Sequence, residues 1–232
     1  MNKIILASVF SSAFILSACS SSSDDAAQII LDEFVTVSGK ITDMNDGILS
    51  GVAIEGVYTD PGGLLNPSTK SDASGNFSLQ VLKGDAFYLR GTIATYATMN
   101  SAKGALSVDE VGFDIGIPTE TEAQDVINLV FTDVTPNLAD KAWLVVDVVT
   151  AANGDDVSGQ TITAASTPDA EVYPDCDGAP TSGPTIAGCT DRSTPMYMAY
   201  YDATIETTVT VGSETQTAVI RKGEITYLEF EQ

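Results

Sequence analysis

Stretches in which apolar and polar residues alternate recur along this chain, and they restrict it to folds built from β-strands. Val35, Val37 and Ile41 alternate with polar residues, and the stretch from Phe77 to Val81 does the same. Successive side chains of a strand point to opposite faces, so this period of two predicts strands with one buried face. Clusters of Asp, Asn and Gly separate the stretches, as turns require. The sequence therefore predicts a mainly β fold.

Several pieces of the first half occur in an order that is typical of a known family. They are residues 37–43 (Val-Ser-Gly-Lys-Ile-Thr-Asp), 49–54 (Leu-Ser-Gly-Val-Ala-Ile), 72–79 (Asp-Ala-Ser-Gly-Asn-Phe-Ser-Leu), and Gly84 with Tyr88. Together they resemble the carboxypeptidase regulatory-like domain. The resemblance covers residues 35–91 and implies a transthyretin-like β-sandwich. That family is an accessory module of metallocarboxypeptidases, so the resemblance implies no catalytic residues.

A short helix is predicted between two β-rich halves. Thr119 and Glu122 match the Thr-x-x-Glu capping box, in which each side chain bonds to the backbone amide of the other. Apolar residues then recur at helical spacing, at Ala123, Val126, Ile127 and Val130. This pattern favours a helix over about 119–131, and the alternative is a strand over 126–131.

The second half opens with a run from Trp143 to Val149 that is apolar at every position except Asp147, as in a strand buried on both faces. Because Pro stops regular structure, Pro136 is the predicted boundary before this half. We therefore predict two tandem immunoglobulin- or transthyretin-like β-sandwich domains, at 34–118 and 138–232, joined by a short helix and linker at 119–137.

The first residues of the chain have the composition of an export signal. Lys3 supplies a positive charge, and residues 4–16 are apolar or small. The sequence Leu16-Ser17-Ala18-Cys19 resembles the lipobox of bacterial lipoproteins. That resemblance implies removal of residues 1–18 and acylation of Cys19. The alternatives are an ordinary secretory signal and a short membrane anchor, since the apolar run is shorter than a spanning helix needs.

Lipid anchoring predicts the location of the mature protein. Residues 19–33 are rich in Ser, Asp and Ala, so we expect a flexible tether between the lipid and the first domain. Ser20, in place of Asp, follows Cys19, and by the usual lipoprotein sorting rule this predicts an outer-membrane lipoprotein, periplasmic or surface-exposed.

Three cysteines are present, and acylation of Cys19 leaves Cys176 and Cys189 as a pair. An even remainder outside the cytoplasm predicts a disulfide. The loop that this bond closes carries Tyr173, Asp175 and Asp177, which are our candidates for ligand contact. Asp175 and Asp177 also resemble a fragment of a calcium loop. The alternative for these acidic turns, including those at 43–47 and 153–156, is turn chemistry alone.

Charge and the absence of histidine exclude several functions. The formal net charge is -22, which disfavours nucleic acid and anionic membrane surfaces as partners. With no histidine, a nucleophile activated by histidine cannot be built, and we predict no enzyme, no catalytic residues, no metal ligands and no cofactor beyond calcium. Tyr197, Tyr200 and Tyr201 either face a carbohydrate or pack in the core.

Two functional hypotheses follow. The first is a lipid-anchored protein of the cell envelope that serves as a non-enzymatic binding or structural module, with the membrane as one partner and a protein or carbohydrate as another. The second is an accessory subunit of an extracellular or outer-membrane assembly, such as a filament, an adhesin or an export system, which pairs with its partners through edge strands.

Overall fold

The structure is a computed structural model that describes residues 33–59, 65–132, 134, 136–149, 160–173 and 197–231. Its regular elements in the first half are nine strands and a helix. They are β1 (Phe34–Thr42), β2 (Ala53–Tyr58), β3 (Ser68–Lys70), β4 (Asn76–Leu82), β5 (Ala86–Thr92), β6 (Thr98–Asn100), β7 (Gly104–Ala105), β8 (Glu110–Val111), β9 (Ile115–Gly116) and α1 (Glu120–Val130).

The second half begins with a 3-10 helix, Leu138–Asp140, and continues with seven strands. They are β10 (Ala142–Val149), β11 (Ile162–Ala164), β12 (Ala170–Val172), β13 (Tyr197–Tyr201), β14 (Ile205–Val211), β15 (Glu214–Ile220) and β16 (Glu224–Glu231). The predicted mainly β class is therefore confirmed.

Nine strands drawn from both halves form one sheet. Its order is β12-β13-β10-β16-β6-β5-β2-β3, with β7 beside β5. β16 lies between the halves, because it pairs in parallel with β10 on one side and with β6 on the other. The described residues belong to one compact unit. The domain bounds 34–118 and 138–232 stay a prediction, and the two parts they delimit share this sheet.

Two smaller sheets cover the large one and enclose the core. In the first half, β4, β1, β8 and β9 form one small sheet; in the second half, β11, β14 and β15 form the other. β10 is buried on both faces: Trp143 and Val145 pack into one apolar cluster, and Leu144 and Val146 into the other. This double burial explains why the run from Trp143 onward is apolar at almost every position.

The predicted helix is confirmed, and the strand alternative for 126–131 is wrong. Thr119 is the N-cap of α1, and its side chain and that of Glu122 form the reciprocal capping box. One stripe of the helix is buried, consisting of Ala123, Ile127 and Val130. Directly after α1, the ring of Phe131 packs 5.7 Å from Trp143, so the helix is attached to the second half as well as the first.

Candidate functional site

Most of the predicted site residues lie outside the described residues. This applies to the acylation site, to both cysteines of the disulfide and to two of the three ligand candidates, namely Cys19, Cys176, Cys189, Asp175 and Asp177. Acylation, the disulfide and ligand contact at the two aspartates stay predictions.

The third ligand candidate, Tyr173, lies at the edge of the core. Its side chain is buried, and its ring centroid is 5.0 Å from that of Tyr197. The Tyr197 hydroxyl donates to Glu171 Oε2 at 2.9 Å. Burial, followed by the charge of Glu171, raises the pKa of Tyr173 to about 12. Tyr173 thus belongs to a buried tyrosine pair, and its role in ligand binding stays a prediction.

The aromatic residues of β13 pack inside the protein. Tyr197, Tyr200 and Tyr201 are all buried. The ring of Tyr200 lies 5.5 Å from Trp143 and 5.5 Å from Phe131. Of the two alternatives for these residues, the structure supports core packing rather than a carbohydrate platform.

Aspartates in the turns cap the backbone. Asp43 Oδ1 accepts hydrogen bonds from the amides of Asn45 and Gly47, both at 2.8 Å. Asp72 Oδ1 accepts in the same way from Ser74 and Asn76, and these bonds lower the pKa of Asp72. Among the described residues, no group of three or more His, Cys, Asp or Glu side chains is arranged to hold a metal ion. The acidic residues at 43–47 are therefore explained by their role in the turn, where Asp43 caps backbone amides, rather than by calcium binding.

A polar cluster joins the two halves where β5, β6 and β16 meet. Glu224, whose side chain is 10% exposed, accepts from Arg90 Nη2 at 2.6 Å and from Asn100 Nδ2 at 2.9 Å. Arg221 Nη1 donates to the hydroxyl of Tyr88 at 2.9 Å. We call Tyr88, Arg90, Asn100, Arg221 and Glu224 the junction cluster. Its charges pair across the two halves, so it fixes how β16 sits against the first half.

Sequence reasoning missed the junction cluster for a physical reason. The chain has 32 acidic residues, and nothing local distinguishes Glu224 from the others. The available signal was the position of Glu224 at the start of an apolar strand, where a charged residue is buried only if it is paired.

β4 is an edge strand with backbone groups that face away from β1, its one ladder partner among the described residues. Lys83 N donates to Glu33 O, and Ile41 N donates to Gly75 O, so odd-numbered residues of β1 and β4 form the hydrogen-bonded pairs. The N–H and C=O groups of the even-numbered residues of β4 therefore point to the open side.

Partners exist at both ends of this open side. Leu82 N donates to the hydroxyl of Tyr58 at 2.8 Å, and Asn76 N donates to Asp72 Oδ1 at 2.9 Å. Between them, Ser78 and Gln80 are exposed, and their outward backbone groups have no partner among the described residues. Two N–H and two C=O groups at strand spacing form an open edge, which we call the β4 edge.

The opposite side of the same small sheet is closed. There the amides of Thr36 and Lys40 donate to the carboxylates of Asp109 and Asp114, at 2.8 and 2.9 Å. β8 and β9 add short parallel pairings to β1. Gly39 is needed for this closure, because a Cβ there would lie 1.9 Å from the carbonyl oxygen of Phe113.

The described part of the chain contains no helix that is long and apolar enough to span a bilayer.

No family model and no curated protein matches this chain. Similar solved structures include a chain from a type II cohesin-X-dockerin complex of Acetivibrio cellulolyticus, at 21% identity and a TM-score of 0.30 over 37% of this chain and 58% of that one. The Bacillus anthracis TIE protein has 10% identity and a TM-score of 0.28, over 85% of this chain and 34% of that one. A shaft pilin from Lactobacillus rhamnosus GG has 11% identity and a TM-score of 0.25, over 87% and 98%. TM-scores this low identify no shared fold.

Proposed function

We propose that this protein is a non-enzymatic binding or structural module of the bacterial cell envelope, anchored by lipid at Cys19. The observation that carries the proposal is the junction of the two halves. A shared sheet and the paired charges of Arg90 and Glu224 hold them as one body. The buried polar groups of the junction have a structural role, which suits a module that presents its outer surface to a partner.

Replacing Cys19 by Ser tests the anchor. The wild-type chain should carry acyl mass and stay with membranes after a carbonate wash, because several acyl chains anchor firmly. The Cys19→Ser chain should lack acyl mass and keep its signal. Cys176→Ser is the matched control and should leave acylation unchanged. An unacylated wild-type chain, or acylation that survives Cys19→Ser, would contradict the anchor.

Kinship with the carboxypeptidase regulatory-like domain is a second part of the proposal. It is supported by the placement of β1, β2, β4 and β5 on the successive pieces of sequence that carry the resemblance. The kinship implies a scaffold role.

An accessory subunit of an envelope assembly is the alternative function, and the β4 edge favours it. An assembly subunit should co-purify from solubilised membranes with a partner in fixed ratio, whereas a module that acts alone should elute as a monomer. Size-exclusion chromatography with mass measurement distinguishes the two.

A further inference from the structure

We propose that the β4 edge is a strand-addition site for an extended segment of another protein that carries no net negative charge. The proposal rests on the binding role proposed above, but it does not depend on the lipid anchor. Ser78 and Gln80 each offer one N–H and one C=O group, two residues apart, on the same side of β4. This spacing matches the backbone of a second strand.

The edges of β3, β12 and β15 differ from the β4 edge and support the assignment. Edges of sheets are normally shortened, charged or covered, because an open edge pairs with other chains. β3 and β12 have three residues each, and they carry Lys70 and Glu171. β15 is long, but Lys103 N donates to its Thr217 carbonyl and Thr226 Oγ1 donates to its Val219 carbonyl, both at 2.8 Å.

β4 is neither short nor charged, and β3, which lies beside part of it, forms its backbone ladder with β2 instead. β4 is seven residues long, it contains no proline, and its exposed side chains are Asn76, Ser78 and Gln80, all uncharged. Charges are common elsewhere in this chain, so their absence from this one long edge leaves it open to a partner strand.

Charge identifies the kind of partner. A second copy of this chain would also have a net charge of -22, and two molecules of like charge repel each other on approach. An extended segment with lysine or arginine at its ends is attracted by the same field, and a neutral one is not repelled. The occupant is therefore a neutral or basic strand of another protein rather than a second copy.

The test uses the full chain in detergent and a synthetic peptide of alternating valine and threonine with lysine at each end. Hydrogen–deuterium exchange, read residue by residue, should show fast exchange at Ser78 and Gln80 before the peptide is added and protection afterwards. The same peptide with glutamate ends should bind about tenfold more weakly, because of charge repulsion.

Ser78→Pro removes one outward N–H without touching the pairing with β1, and an edge position tolerates proline. We expect about tenfold weaker binding of the lysine peptide, as the loss of strand hydrogen bonds predicts. Thr215→Pro, at an outward amide of β15, is the matched control and should bind normally. A lysine peptide whose own amides are N-methylated should not bind, and this tests the hydrogen bonds without any change in the protein.

Four results would overturn the proposal. They are protection of Ser78 and Gln80 before any peptide is added, peptide binding that Ser78→Pro and N-methylation leave unchanged, no binding of the lysine peptide, and self-association of the chain through β4. None of these results bears on acylation at Cys19, so failure here is distinct from failure of the lipid anchor.

Discussion

Thr95 is a β-branched residue with a φ of 70°, a region that only glycine occupies at little cost. Its carbonyl accepts a hydrogen bond from Glu120 N at 3.1 Å, so the strained turn helps to hold the first amide of α1. We expect Thr95→Gly to raise the free energy of unfolding by about 1 kcal/mol, measured in urea. The neighbour Ala94 does not have a positive φ, and Ala94→Gly should lower the free energy instead.

Glu224 is the residue on which the junction cluster depends. Its removal takes away the 2.6 Å partner of Arg90, which keeps only a 3.7 Å contact with Glu55, and leaves the buried Asn100 amide without its acceptor. We expect Glu224→Ala to lower the free energy of unfolding by about 2 kcal/mol, because the buried Asn100 amide loses its hydrogen bond while water can solvate the partly exposed Arg90. Glu206→Ala removes a half-exposed partner of Lys103 and should cost less than about 1 kcal/mol. Equal effects of the two changes in urea unfolding would contradict the role of the junction.

At the scale of elements, the capping box of α1 gives a direct test. Thr119→Ala removes the acceptor of Glu122 N and should cost about 1 kcal/mol of stability. Thr121 is exposed in the first turn, and Thr121→Ala should be neutral or slightly stabilising because alanine favours helix. Circular dichroism during thermal unfolding measures both.

The predicted disulfide between Cys176 and Cys189 is the second test at this scale. Mass spectrometry of the non-reduced chain should find the two cysteines in one linked peptide, and reduction should destabilise the protein by about 3 kcal/mol. Two free thiols in the exported protein would show the prediction to be wrong. Cys19 is the internal control, because acylation leaves it outside any disulfide.

The existence of the elements could be predicted from the sequence, but their arrangement could not. The alternation around Val35 and Val37, and the capping box at Thr119, are local signals that packing later reinforced. Alternation shows which face of a strand is buried and not which strand lies beside it. No local sequence pattern therefore predicts the pairing of β16 with β6. The same holds for Asp109 and Asp114, whose carboxylates accept from backbone amides of β1.

At the scale of the whole molecule, buried tyrosines predict how the protein responds to alkali. Burial, with smaller contributions from nearby carboxylates, raises the pKa of Tyr173 and of Tyr201 to about 12, above the ordinary value of 10.0. The folded state thus holds these protons more tightly than the unfolded state. The free energy of unfolding should be unaffected by them below pH 10 and should fall as the pH rises from 10 towards 12.

Tyrosinate absorbance and circular dichroism, recorded together against pH, check this expectation. The rise in tyrosinate absorbance at the highest pH, which reports the buried tyrosines, should coincide with the loss of the circular dichroism of the folded state. In urea all tyrosines should titrate near their ordinary pKa. Complete ionisation of the tyrosines while the circular dichroism stays native would contradict it.

β16 follows every other strand of the large sheet in the chain, yet it lies in the middle of that sheet. A polypeptide emerging from the ribosome therefore makes β6 and β10 long before the strand that joins them. The junction cluster cannot form either, because Arg90 and Asn100 wait for Glu224. The export proposed for this chain would benefit from the delay if it runs through a channel that admits only unfolded chains, since the sheet cannot close until the residues of β16 have been translated.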